Sequence, residues 1–204
     1  MAWALTVATL AAGCGSGEQG QSTGDDSRIA GSATTQAGER PVPPRPDVVR
    51  GCDRHRTGVG YGGLSKQAFR ASLRVGPIAL GSLRVLKRSQ LPATRAGQRH
   101  FYSIESIAIV DAGAIVTVAV SPSDRDHVGL IYDESKFRSD GLYRIADLDD
   151  VVKFEACADP TFNHGYSQFD GGFVVAGRRC FSLDIYVEGH RYRRPALADC
   201  KRAP

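Results

Sequence analysis

Alternation of apolar and polar positions dominates the second half of the chain. Val152, Phe154 and Ala156 alternate with Lys153 and Glu155, and Phe181, Leu183, Ile185 and Val187 alternate with Ser182, Asp184 and Tyr186. A two-residue period puts one set on one face of a strand and the other set on the opposite face. The spacing therefore predicts half-buried strands over residues 150–157 and 181–187, close neighbours at the core. Further strands are expected over residues 102–110, 114–120, 128–132, 142–148 and 192–197. In the cleanest of these, Ile115, Thr117 and Ala119 share one face and the valines the other. Turns rich in Ser, Pro, Asp and Gly separate the runs. Short strands at this spacing predict an all-β fold, an antiparallel sandwich of immunoglobulin-like or Greek-key type. One short helix is expected over residues 65–73, whereas residues 75–86 are apolar but broken by Gly76, Pro77 and Gly81.

The first half reads differently. Residues 2–12 are apolar or small and end Leu10-Ala11-Ala12-Gly13-Cys14. A bilayer needs about 20 apolar residues to be spanned, so this run reads as a secretion signal over residues 1–13. Small residues before a cysteine resemble the lipobox of bacterial lipoproteins, although Leu10 stands four positions before Cys14 where that pattern has three. The resemblance implies lipidation of Cys14 and anchoring to the outer face of the cell membrane; the alternative is a secreted protein cut near Ala12. Residues 14–46 lack an apolar period and close in Arg40-Pro41-Val42-Pro43-Pro44-Arg45-Pro46, the composition of a tether that is flexible first and stiffer at its end. The domain is expected over residues 47–204.

Five cysteines leave one unpaired in an exported protein. With Cys14 assigned to lipid, Cys52, Cys157, Cys180 and Cys200 form an even set for an oxidising compartment. Three pairings are possible. The shared phase of Cys157 and Cys180 at the ends of two neighbouring strands predicts Cys157–Cys180, which leaves Cys52–Cys200.

Residues 151–157, the run Gly171-Gly172-Phe173-Val174-Val175 and Arg179-Cys180 resemble a group of actinobacterial secreted proteins and lipoproteins, over about residues 75–200. The resemblance implies a fold and no activity.

Charge comes in blocks. Residues 48–103 hold eleven basic side chains and one acid, residues 104–170 hold thirteen acids and five bases, and residues 171–204 hold seven bases and three acids. Blocks of this kind either neutralise one another across the surface or build a basic face. The candidate anion-binding set is Arg84, Lys87, Arg88, Arg191, Arg193 and Arg194, with an anionic envelope polymer, lipid head groups or a protein partner as its target. Lysine is confined to positions 66, 87, 136, 153 and 201 and Asn163 is the single asparagine. This is the bias of a GC-rich genome, and nucleic acid is not expected as a partner.

Motifs for chemistry are weak. Residues 58–63 match G-x-G-x-x-G, but no acid follows until Glu105, so the dinucleotide fingerprint is incomplete. The five histidines show no metal-binding spacing, no Gly-x-Ser-x-Gly occurs, and no cofactor or metal is expected. A hydrolase reading centres on residues 159–172, with His164 and Asp170. Asp124 and Asp126, or Asp147, Asp149 and Asp150, offer oxygens of the kind calcium uses, though Asp is also a common turn residue. The expectation is a lipid-anchored, non-catalytic binding module.

Overall fold

The computed structural model describes residues 40–54, 70–94, 100–138, 140–159 and 165–200. Cys14, the glycine motif at 58–63, His55 and His164 lie outside them, as does most of the expected helix. Of that helix Arg70 and Ala71 are helical, and Leu73 already begins a strand.

The fold is an all-β sandwich stapled by two disulfides. Twelve strands are described: β1 (Val48–Arg50), β2 (Leu73–Val75), β3 (Ile78–Leu80), β4 (Phe101–Glu105), β5 (Ala108–Asp111), β6 (Ile115–Val120), β7 (Val128–Leu130), β8 (Val151–Glu155), β9 (Tyr166–Phe169), β10 (Gly172–Ala176), β11 (Ser182–Val187) and β12 (His190–Pro195). One layer is the sheet β1-β8-β6-β11-β12, antiparallel apart from the parallel β1–β8 pair. The other layer is made by the sheets β2-β3-β5-β9 and β4-β10-β7.

These two smaller sheets form one bent layer. The chain passes from β4 to β5 at Ser106–Ile107 and from β9 to β10 at Asp170–Gly171, and the two crossings lie side by side through Ser106 N–H donating to Gly171 O at 2.9 Å. The run expected as a single strand over residues 102–110 is therefore two strands, because the register continues from one sheet into the next around a corner. Gly172 makes the corner possible: a Cβ on it would overlap the Ile104 carbonyl. Tyr132 fills the space behind Gly171 and donates from its hydroxyl to Ser106 O at 2.7 Å. Burial pushes the Tyr132 phenol up, well above its ordinary range.

Both layers close on one core. Val116, Val118, Val120, Val152, Phe154, Leu183 and Ile185 supply one side, and Ile78, Leu80, Val110, Leu130, Phe169, Phe173 and Val175 the other. A chain of aromatic contacts crosses it, Phe169 to Phe154 at 5.2 Å, Phe154 to Tyr132 at 5.0 Å, Tyr132 to Phe173 at 6.0 Å and Phe173 to Phe181 at 5.8 Å. Such pairs add to the area they bury.

Two further sequence expectations are corrected. Residues 142–148 form no strand; they contain a 3-10 turn at Ile145–Asp147, and Tyr143 packs with Ile131 and Val174 over the β4-β10-β7 sheet, with Ile145 and Leu148 against them. Their apolar spacing marked a covering loop. The disulfides also pair otherwise than expected: Cys52–Cys157 and Cys180–Cys200, with Cα–Cα distances of 4.8 and 5.5 Å. The strands carrying Cys157 and Cys180 are not neighbours, because β6 runs between β8 and β11. Cys157 follows β8 whereas Cys180 precedes β11, and each binds a cysteine from the segment beside it. Four of the five cysteines thus sit in disulfides, the signature of an oxidising, extracytoplasmic compartment. Among the described residues no helix is long and apolar enough to cross a membrane.

Candidate functional site

The outer face of the five-stranded sheet carries the polar phase of its strands. Register places Val49, Lys153, Thr117, Tyr186 and Arg191 in one row across it, and Val151, Ala119, Asp184 and Arg193 in the next. Neighbouring strands are about 4.8 Å apart, so Lys153 and Arg191 are separated by about 14 Å.

Over one end of this face lies a cleft of about 420 Å³. Its floor is Ile115, Thr117, Lys153 and Tyr186; its walls are Pro43, the β2–β3 turn at Pro77, the β5–β6 turn at Gly113–Ala114 and the β11–β12 turn at Glu188–Gly189. Each wall has a local cause. Gly76 takes φ +51°, the positive value that a two-residue hairpin turn with glycine first requires, and it packs beside the Val187 side chain. Glu188 and Gly189 both have positive φ, +49° and +77°, as a two-residue hairpin turn of the primed type demands. Residues 40–46 form a strap: Asp47 accepts from the backbone N–H of Asp150 and Val151 at 2.8 and 2.9 Å, Pro43 overhangs the floor, and Arg40 reaches Gly189. The stiff end of the expected tether is thus laid against the domain. Lys153 pairs with Glu155 at 2.6 Å. Among the described residues the Tyr186 and Thr117 hydroxyls make no hydrogen bond.

The six candidate anion-binding residues split into two groups. Arg191 and Arg193 both donate to Asp184, at 2.7 and 2.9 Å, on the outer face. Asp184 is 2% exposed; burial raises its pKa, but the two guanidiniums outweigh this and hold the carboxyl below its usual range. Arg194 points the other way, over the Tyr192 ring at 5.6 Å. Arg84, Lys87 and Arg88 lie at the opposite end of β11, where Arg88 pairs with Asp199 at 3.0 Å and Ala198 N–H donates to Leu86 O. Arg178 joins them, donating to the carbonyls of Arg88 and Ser89 and lying over Tyr102 at 5.0 Å. The Arg88–Asp199 pair and the Ala198–Leu86 hydrogen bond bring this basic segment beside the end of the chain's described part. Sequence spacing missed Arg178 and Asp199, which meet this turn from far along the chain.

The acidic and imidazole candidates do not assemble. Among the described residues no three His, Cys, Asp or Glu side chains are placed to hold a metal ion. Asp149 is buried beside Lys136 at 3.8 Å, its second oxygen without a partner, and burial pushes its carboxyl up. Within residues 159–172, Asp170 meets Gln168 at 3.5 Å and Ser167 accepts from Cys157 N–H. The described part of that loop, mostly β9, brings together no nucleophile and base; the hydrolase reading gains nothing from it.

Comparison with protein-family models, with curated proteins and with solved structures returns no match.

Proposed function

We propose that the chain is an exported, lipid-anchored binding module that holds a component of the cell envelope without chemical transformation. The observation that carries this reading is the cysteine inventory: Cys52, Cys157, Cys180 and Cys200 are consumed by two disulfides, and Cys14 is the fifth, placed directly after an apolar leader. A disulfide-stapled sandwich on a polar spacer suits reach from a membrane surface. An anionic polymer or a protein partner is the wider target class. Of the six candidate cations, Arg88 is paired with Asp199, Arg191 and Arg193 share Asp184, and Arg84, Lys87 and Arg194 keep no carboxylate partner among the described residues. Anion binding through those three is weak and falls with salt.

The test has two arms. Full chain and Cys14→Ser are expressed in an exporting bacterial host, and membranes are separated from medium. The wild type stays with membranes and Cys14→Ser appears in the medium. Envelope preparations are then tested for retention of the protein. Equal release of both forms contradicts the anchor, and no retention contradicts the binding role.

A further inference from the structure

We propose that the cleft beneath the strap binds a neutral saccharide chain, an inference that rests on the envelope-binding reading above. A sugar ring presents apolar C–H faces and hydroxyl edges. The cleft offers both kinds of counterpart: the Tyr186 ring, the 55%-exposed Ile115 and Pro43 and Pro77 for the faces, and Lys153, Thr117 and Glu188 for the hydroxyls. Its volume lies within the range of small-molecule sites.

Charge argues against an ionic ligand. Lys153 is matched by Glu155, Arg191 and Arg193 stand over Asp184, and Glu188 sits on the rim. A polyanion approaching Lys153 meets Glu155 and Glu188, and a polycation meets Lys153 and the arginine pair. Groups of both signs at the edge of an aromatic floor instead donate to and accept from hydroxyls. The Tyr186 and Thr117 hydroxyls face no protein partner among the described residues.

Glu188 supplies the independent pointer. A turn position with φ +49° favours Gly, Asn or Asp, and a longer branch-free side chain there is disfavoured. Glu188, held in that conformation, stands on the rim of the cleft. Retaining Glu where Gly folds better is consistent with a binding duty.

Calorimetric titration of the full chain uses oligomers of glucose, mannose, galactose, arabinose and N-acetylglucosamine, with poly(glycerol phosphate) in parallel. One neutral oligomer is expected to bind with the same affinity at low and high salt. Tyr186→Ala and Glu188→Gly each weaken it at least about tenfold, while Glu188→Gly unfolds no earlier than the wild type. Tyr186→Phe keeps the ring and the fold and loses only the hydroxyl's share. No binding by any neutral oligomer, or wild-type affinity in Tyr186→Ala, overturns the inference. If envelope preparations still retain the protein in that case, the envelope reading stands without this cleft; if they do not, both fall. Salt-sensitive binding of poly(glycerol phosphate) that Tyr186→Ala leaves unchanged also overturns it and moves the site to the Arg84 end.

Discussion

Asp184 and Arg193 face each other across the β11–β12 ladder, and the Asp184 carboxylate holds Arg193 at 2.9 Å together with Arg191 at 2.7 Å. Two guanidiniums share one buried acid, so the arrangement is redundant. Arg191→Ala or Arg193→Ala alone leaves Asp184 paired and is expected to lower stability by less than about 1 kcal/mol. The double substitution leaves a buried carboxylate alone and is expected to cost about 3–5 kcal/mol. Urea unfolding of the three variants checks this non-additivity.

The pH dependence follows with opposite signs at two aspartates. Asp184 titrates below the ordinary 3.8 in the folded protein, so its stabilisation is complete above that value and is lost as pH falls through its lower folded pKa. Asp149 titrates above 3.8, so it weakens the fold as pH rises through that window and continues to do so at neutral pH. Asp149→Asn is therefore expected to raise the thermal midpoint at pH 7 and to lose the advantage in acid. Midpoints measured from pH 3 to pH 7 decide it.

Much of this was legible in the sequence, and the losses have common causes. Strands β6, β8 and β11 follow from the alternation of Val116, Val118 and Val120, of Val152 and Phe154, and of Leu183 and Ile185, all fully buried. Alternation says which face is buried and says nothing about which strand lies beside which. The intervening β6 is why strand phase alone does not give the cysteine pairing. The corner at Ser106–Ile107 is invisible for a related reason, since the residue that allows it is Gly172, distant in the chain. β1, β2 and β3 are three residues long, too short for a period to show. The cleft was not legible either. Its floor comes from the polar phase of three strands and its walls from a strap and three turns, and only the fold brings them together.

The disulfides close loops of very different size, with sequence separations of 105 and 20. Loop-closure entropy assigns about 4.7 kcal/mol to Cys52–Cys157 and about 3.3 kcal/mol to Cys180–Cys200. Replacing Cys52 and Cys157 together by Ser is expected to destabilise more than replacing Cys180 and Cys200. Non-reducing peptide mapping shows the pairs directly, and chemical denaturation of the two double variants gives the order.

Gly172→Ala places a methyl group against the Ile104 carbonyl at the corner joining the two smaller sheets. Backbone cannot yield there without breaking the β4–β10 ladder, so the variant is expected to lose more than about 3 kcal/mol. Gly177→Ala is the control for a site with open space: a Cβ there meets nothing, and the cost is only that of φ +82° for a non-glycine residue, about 1–2 kcal/mol. Thermal unfolding of the two separates overlap from backbone preference.

Where the envelope ligand sits is the central claim, and amide chemical-shift mapping tests it most directly. The isotope-labelled protein is titrated with oligosaccharides released from the envelope. Shifts are expected to concentrate at Ile115, Thr117, Lys153, Tyr186 and the Glu188–Gly189 turn, and to be unchanged by added salt. Shifts concentrated instead around Arg84, Lys87, Arg88 and Arg178, and abolished by salt, contradict it.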